Sequence, residues 1–145
     1  MAALVDTNLL VYRVDPRFPA KQAIATRILR EGLERGTCAI PHQAIVEFVA
    51  VVTRPLQDGM PLLSPAEAWR EAEDLLVTAS VLYPTEAVVR TALRGAAVYQ
   101  LSWFDAHLWA FAETYELAEL LSEDFQHGRL YGTVRIVNPF LRESA

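Results

Sequence analysis

One cysteine, Cys38, stands in the whole chain, so no internal disulfide can form. A lone thiol among apolar neighbours fits a reducing compartment, and the cytoplasm is the expected location. Lysine is equally scarce: Lys21 is the only one, and arginine supplies every other fixed positive charge. With 13 basic against 18 acidic side chains the formal charge is −5. That balance excludes a protein that grips nucleic acid through bulk positive potential. It leaves room for an enzyme that meets phosphate through a bound cation. No apolar run approaches the roughly 20 residues needed to span a bilayer. The start has no basic segment followed by a long apolar one, so neither a membrane anchor nor a secretory signal is expected.

What is present is the composition of a packed protein, 52% hydrophobic and 21% charged over 145 residues. This length fits one domain, residues 1–145, with enough chain to bury a core. Repeats, low-complexity tracts and internal boundaries are absent. Leu4-Val5-Asp6 reads as a short buried strand ending at an acid, followed by a brief helix from Asn8 to Arg13 that Pro16 stops. Ile24, Ile28, Leu29 and Leu33 mark a helix over Lys21 to Arg35, with Gly36 as its C-cap. Thr37 to Ile40 is a second strand, and Gln43 to Thr53 is apolar nearly all round, as an interior helix is. Ser64-Pro65-Ala66-Glu67 is a strong helix start, combining N-cap, proline and capping glutamate. That helix runs to about Ala79; Ser80 to Tyr83 is a strand, and another helix ends near Gln100. Ser102 and Asp105 open a helix to about Tyr115, and Glu119 to Leu121 and Thr133 to Val137 close the pattern, with a loop from Phe125 to Gly132 between them. Five strands alternating with helices predict an α/β layer structure with a mainly parallel sheet.

Four acids sit where a carboxylate is costly unless something offsets its charge. Asp6 and Asp124 fall at the carboxyl ends of predicted strands, where open α/β sheets gather their functional groups. Asp105 lies in the first turn of its helix, and Glu47 lies among Val46, Phe48 and Val49, which leave it little exposed face. Each has an ordinary explanation: a cap for Asp6, a capping box for Asp105, a turn for Asp124. Convergence on one pocket is the reading that accounts for all four together, and capping does not compete with it. Clustered carboxylates repel and need a counter-charge, yet no basic residue adjoins any of them in sequence. Oxygen-only ligands suit Mg²⁺ or Mn²⁺, whereas the three histidines and one cysteine show no metal-ligand spacing. Such a site serves phosphodiester chemistry.

Asp6-Thr7-Asn8-Leu9-Leu10, Glu47-Phe48, Phe104-Asp105-Ala106, Ser122-Glu123-Asp124-Phe125 and Val134 to Phe140, ending Asn138-Pro139-Phe140, occur in the order of the PIN-domain signature. The chain resembles that family over nearly its full length, and more narrowly the VapC-type toxins of bacterial toxin–antitoxin pairs. The resemblance implies a three-layer α/β/α fold around a central parallel sheet, and a divalent-metal-dependent ribonuclease cutting single-stranded or loop RNA. Asp6, Glu47, Asp105 and Asp124 match its four acidic positions; Thr7, Asn8 and Ser122 match its small polar positions near the metal. Asp6, Asp105 and Asp124 would hold one ion, and Glu47 would complete its shell, place a second ion or orient water. Hydrolysis would leave 5′-phosphate and 3′-hydroxyl ends. Glu123 is a possible substitute for Asp124, although strand alternation aims it away.

Arg13, Arg17, Lys21 and Arg27 cluster near the first helices as candidate contacts to the RNA backbone, against the plainer reading of solvated charges. His127-Gly128 reads as a turn, with RNA contact the alternative. Trp103, Trp109, Phe111 and Tyr115 read as core or dimer contacts in preference to base-stacking platforms. The implied partners are RNA, a VapB-type antitoxin and a second copy of the chain; DNA would be met only through the antitoxin. The antitoxin's C-terminal segment would lie between the early helices and the Pro65 helix, with an arginine blocking the acids. Alternatives inside the family are a PIN nuclease of RNA maturation or decay and a non-catalytic binding module. Receiver modules and aspartate-nucleophile phosphatases also place aspartates at strand ends, but they need a lysine near the phosphate, and Lys21 precedes most of the fold.

Overall fold

A computed structural model describes residues 2–141; Met1 and positions 142–145 of the expected domain lie outside the described residues. The strands are β1 (Ala3–Val5), β2 (Cys38–Pro41), β3 (Ser80–Leu82), β4 (Glu119–Leu121), β5 (Leu130–Tyr131) and β6 (Val134–Val137). The helices are α1 (Thr7–Arg13), α2 (Pro19–Arg35), α3 (His42–Val52), α4 (Pro65–Thr78), α5 (Glu86–Tyr99) and α6 (Trp103–Thr114). They form one sheet in the order β3-β2-β1-β4-β6-β5, parallel except for β5 against β6. The mainly parallel α/β architecture is thus as predicted, with six strands in place of five. The sixth is the two-residue β5, inside the stretch expected to be loop. Leu130 and Tyr131 are too few to show an alternating pattern, and they become a strand only by folding back on β6.

Alternation along the strands builds two separate cores. Ala3, Val5, Cys38, Ile40 and Leu121 face one side and pack with Leu9, Leu10, Leu29, Phe48, Val52 and Leu75 of α1 to α4. Leu4, Leu120, Val134 and Ile136 face the other side and pack with Val88 and Ala92 of α5 and with Leu108 to Ala112 of α6. Helices therefore cover both faces, giving three layers. Each fully buried aliphatic or aromatic side chain contributes roughly 1.5–3 kcal/mol.

Local signals set the helix ends. Ser64 accepts a hydrogen bond from the Glu67 amide while the Glu67 carboxylate accepts one from the Ser64 amide, closing a full capping box. Gly36 ends α2 with φ 66°, the left-handed conformation that glycine adopts without penalty. At Gly95 the chain needs a bare Cα for a different reason: a Cβ there would run into the indole of Trp109 on α6.

The order of the strands places the site. From β1 the chain moves outward to β2 and β3, then crosses back through α5 and α6 to β4, on the other flank of β1. Ligands bind at such a reversal point in open α/β sheets, beyond the strand carboxyl ends. Val5 pairs with Leu121, so the residues after β1 and β4, Asp6 and Ser122, emerge side by side.

Candidate active site

Asp6 is buried, at 5% exposure, and its backbone amide donates to the Leu121 carbonyl at 3.0 Å. Three donors converge on its carboxylate. The Thr7 amide donates at 2.6 Å, the Ser122 hydroxyl at 2.6 Å and the Asn8 amide group at 3.4 Å. Asp6 is thus the N-cap of α1 and the floor of the site at once. Ser122, fully buried, is the link to the neighbouring strand: its Oγ also accepts from the Asp124 amide at 3.0 Å. Asn8 Nδ2 reaches the Asp124 carboxylate at 3.2 Å, so one amide spans Asp6, Ser122 and Asp124.

Glu47 enters from α3. Its two carboxylate oxygens accept from the Thr7 hydroxyl at 2.8 Å and from Gln43 Nε2 at 3.0 Å. Gln43 also donates to the Phe104 carbonyl at 3.3 Å, which ties α3 to the start of α6 beside Asp105. Asp105 stands in the first turn of α6, whose N-cap Ser102 accepts from the Asp105 amide at 3.2 Å. Val46, expected to help enclose Glu47, is 55% exposed, because α3 turns that side to solvent. The side chains of Phe48 and Val52 hold the helix down from the opposite side.

All four acids line a single cavity of about 370 Å³, together with Thr7, Asn8, Tyr12, Gln43, Phe104 and Glu123. Asp15, Arg17 and Phe18 extend its wall. Asp6 is pushed up to about 7, chiefly by burial, with the charges of Asp124 and Glu47 adding to it against the hydrogen bonds from Ser122 and Thr7. Asp105 is raised as well, first by burial and then by the same two neighbours. Among the described residues, none of the four forms an ion pair; the ion pairs there are Arg13–Glu71, Arg17–Asp15, Lys21–Glu123 and Arg90–Glu86.

Three of those pairs involve the basic residues expected to touch RNA. Arg13 donates to Glu71 of α4 at 2.8 Å, and Lys21 donates to Glu123 at 2.9 Å and to the Tyr12 hydroxyl at 3.1 Å. Only Arg17 of the three lines the cavity. Glu123 also accepts from the Tyr12 hydroxyl at 2.6 Å, so its charge is already engaged. His127 accepts from the Asn138 amide at 2.9 Å beside Gly128, whose φ of 81° marks a turn. Trp109 and Phe111 are core residues, while Trp103 and Tyr115 are 44% and 37% exposed.

The donor set is one of oxygens alone. Asn8 Oδ1 and Gln43 Oε1, from two residues in the cavity wall, are buried without a partner and add neutral oxygens to the four carboxylates. Among the described residues no three acidic, histidine or cysteine side chains are already drawn together as a cage. Chemically the residues fit a hard divalent cation, which would offset their repulsion; geometrically they stand in an open arrangement around the cavity.

A family model for the PIN domain matches residues 3–132. The chain belongs to the PIN-domain family. Solved structures share its fold. VapC20 of Mycobacterium tuberculosis, described as a sarcin–ricin-loop-cleaving toxin, superposes with a TM-score of 0.65 at 15% identity, covering 85% of this chain and 90% of that one. A toxin–antitoxin complex from Klebsiella pneumoniae gives 0.63 at 18% identity, over 96% and 98%. VapBC2 of Rickettsia felis, bound to a DNA fragment from its promoter, gives 0.68 at 11% identity, over 94% and 97%. Among curated protein sequences nothing matches significantly. Identities this low carry the fold alone, and the chemistry of this PIN domain lies in its own side chains.

Gln43 and Phe104 escaped sequence reading. Gln43 is four residues before Glu47 on one helix face, a spacing that brings side chains together, and that was the available signal. Phe104 gave none beyond its place next to Asp105.

Proposed function

We propose that the protein is a divalent-metal-dependent endoribonuclease acting as the toxin of a toxin–antitoxin pair. The observation that carries this reading is the cavity at the strand reversal, lined by four carboxylates with no cationic partner among the described residues. Clustered acids around a buried Asp6 call for a cation, and oxygen ligands select Mg²⁺ or Mn²⁺. When bound, that ion supplies Lewis-acid stabilisation of the phosphodiester and activates water.

The chain's own residues do the positioning. Asp6, Asp105 and Asp124 would hold the ion, with Glu47 completing the set or orienting water. Ser122 keeps the Asp6 carboxylate aimed, since its hydroxyl has its proton committed there. Thr7 does the same for Glu47. Asn8, by spanning Asp6 and Asp124, holds the two strand-end acids in register. RNA fits better than a small phosphate ester because the cavity is an open depression beyond the carboxyl ends of β1 and β4, with Phe18 and Phe104 exposed on its walls.

The toxin role and the VapB-type antitoxin are supported by the company of the fold, whose solved relatives include toxin–antitoxin complexes. An antitoxin arginine in the cavity would supply the counter-charge the acids lack. The cavity is walled by residues of α1, α3, α6 and the segments after β4 and α1, and α4 contributes none. A bound antitoxin segment would therefore cover α1 and α3 before it reached the Pro65 helix. Homodimerisation would cover apolar side chains left exposed on the helices, such as Trp69, Leu76 and Val77 on α4.

The test is cleavage of single-stranded RNA by purified protein with and without Mg²⁺ or Mn²⁺. Cleavage should require the metal and fall below detection in Asp105→Asn. Induction in cells should arrest growth, with relief by a small neighbouring gene product. Metal-dependent cleavage that survives in Asp105→Asn would remove the assignment; cleavage without growth arrest would leave a PIN nuclease of RNA processing.

A further inference from the structure

We propose that Arg17 and Phe18 form a nucleotide subsite on the rim of the acidic cavity, Arg17 taking an RNA phosphate and Phe18 stacking the adjoining unpaired base. This rests on the ribonuclease reading above and adds to it where the substrate lies. Among the described residues lining the cavity, Arg17 is the only one with a fixed positive charge. It is held in place by Asp15, which is 1% exposed. Arg17 Nε and Nη2 donate to the two Asp15 oxygens at 3.0 and 2.9 Å, and the Arg17 amide donates to Asp15 Oδ1 at 3.1 Å. A guanidinium has five N–H donors; with two spent on Asp15, three remain on a side chain that is 50% exposed. A fork fixed on one side and open on the other is prepared for a phosphate, because little side-chain freedom is left to lose.

Phe18 supplies the second half. It is 43% exposed, a large apolar ring turned to solvent in the wall of a polar cavity. Its ring is held at right angles to that of Tyr12, with ring centres 5.6 Å apart and planes at 84°. The Arg17 guanidinium lies 5.4 Å from its centre, close enough that one nucleotide can touch both residues. Phe18 is also the N-cap of α2 and makes no side-chain cap there, so the positive end of a 17-residue helix adds to the Arg17 field. Arg13 stands outside the cavity wall and is tied to Glu71; the Lys21 ammonium lies over the Phe18 ring, 5.9 Å from its centre, but its charge is spent on Glu123. A stacked base must be unpaired, which makes single-stranded RNA the substrate class.

The experiment uses the full chain carrying Asp105→Asn, magnesium, and a fluorescent single-stranded oligoribonucleotide on the order of ten nucleotides long. Binding is followed by anisotropy across a salt series. Arg17→Gln should lower the slope of log affinity against log salt by about 0.7, the loss of one phosphate contact on a single strand. Phe18→Leu should weaken binding about tenfold with the slope unchanged, and Phe18→Trp should restore it. Arg17→Gln leaves the buried Asp15 carboxylate unpaired, so the double change Asp15→Asn with Arg17→Gln serves as a second variant should the first fail to fold. In the chain with Asp105 intact the same changes should raise KM for RNA and leave kcat nearly untouched. Cleavage with KM indifferent to all these variants overturns the subsite and leaves the ribonuclease reading standing. Binding that depends on Arg17 and Phe18 in a protein that cuts no RNA keeps the subsite and removes the ribonuclease reading. Failure of the oligoribonucleotide to bind overturns the subsite outright.

Discussion

Asp6 carries two duties that pull on its proton in opposite directions. As a cap and the recipient of three hydrogen bonds it is stabilised as a carboxylate; as a buried neighbour of Asp124 and Glu47 it is penalised. Burial wins, and its pKa stands at about 7 in the folded protein, above the ordinary 3.8. A group raised on folding adds stability that is complete below the unfolded value and is lost as pH climbs through the folded one. For the metal-free protein this gives a window from about 4 to about 7 in which stability falls with rising pH, by up to about 4 kcal/mol from this side chain. Asp105, also raised, acts in the same direction. Asp6→Asn should flatten that profile and melt higher than the unmodified chain at pH 8 in chelator, as scanning calorimetry would register. A variant as pH-dependent as its parent would show that Asp6 bears no such strain.

At the scale of elements, the pairing of α5 with α6 aims Asp105. These helices touch where Gly95 meets Trp109, whose indole N–H donates to the Tyr131 carbonyl at 3.0 Å. Glycine inside a helix is usually a weakness, and alanine would regain about 1 kcal/mol of propensity. Here the added methyl meets a ring pinned by its own hydrogen bond, and overpacking costs roughly 1–3 kcal/mol. Gly95→Ala should therefore lower the melting temperature, and a raised one would mean the helices have room to part. Helix starts were legible where side chains announce them, as at Ser64 and Ser102, and the first four strands were legible from their apolar runs. The order of acidic motifs predicted which carboxylates share a cavity, because strand ends and helix starts place them independently of fine packing. What stayed hidden depends on chain reversal: β5 exists only through its pairing with β6, and the Asp15 clamp on Arg17 only because the turn after α1 sinks Asp15 out of water. Lys21 and Glu123, partners in an ion pair, are 102 residues apart in the chain, a distance no local pattern encodes.

For the molecule as a whole, metal and proton should compete for the same oxygens. Addition of magnesium to chelator-treated protein should raise the melting temperature at pH 8, by about 2.7 kcal/mol of stability at a hundredfold excess over Kd. At pH 5.5, below the Asp6 value of about 7, the gain should shrink. Equal gains at both values, or none, would separate the acids from any cation. Among the described residues no helix is long and apolar enough to cross a membrane.

The margins of the sheet carry a further consequence. One border is the three-residue β3 and the other the two-residue, reversed β5. Neither offers enough free backbone to recruit an outside strand, so fibril-like stacking finds no template at either flank. A protein companion must then attach by filling hollows and covering helices, which makes recognition a matter of side-chain shape and open to retuning one residue at a time.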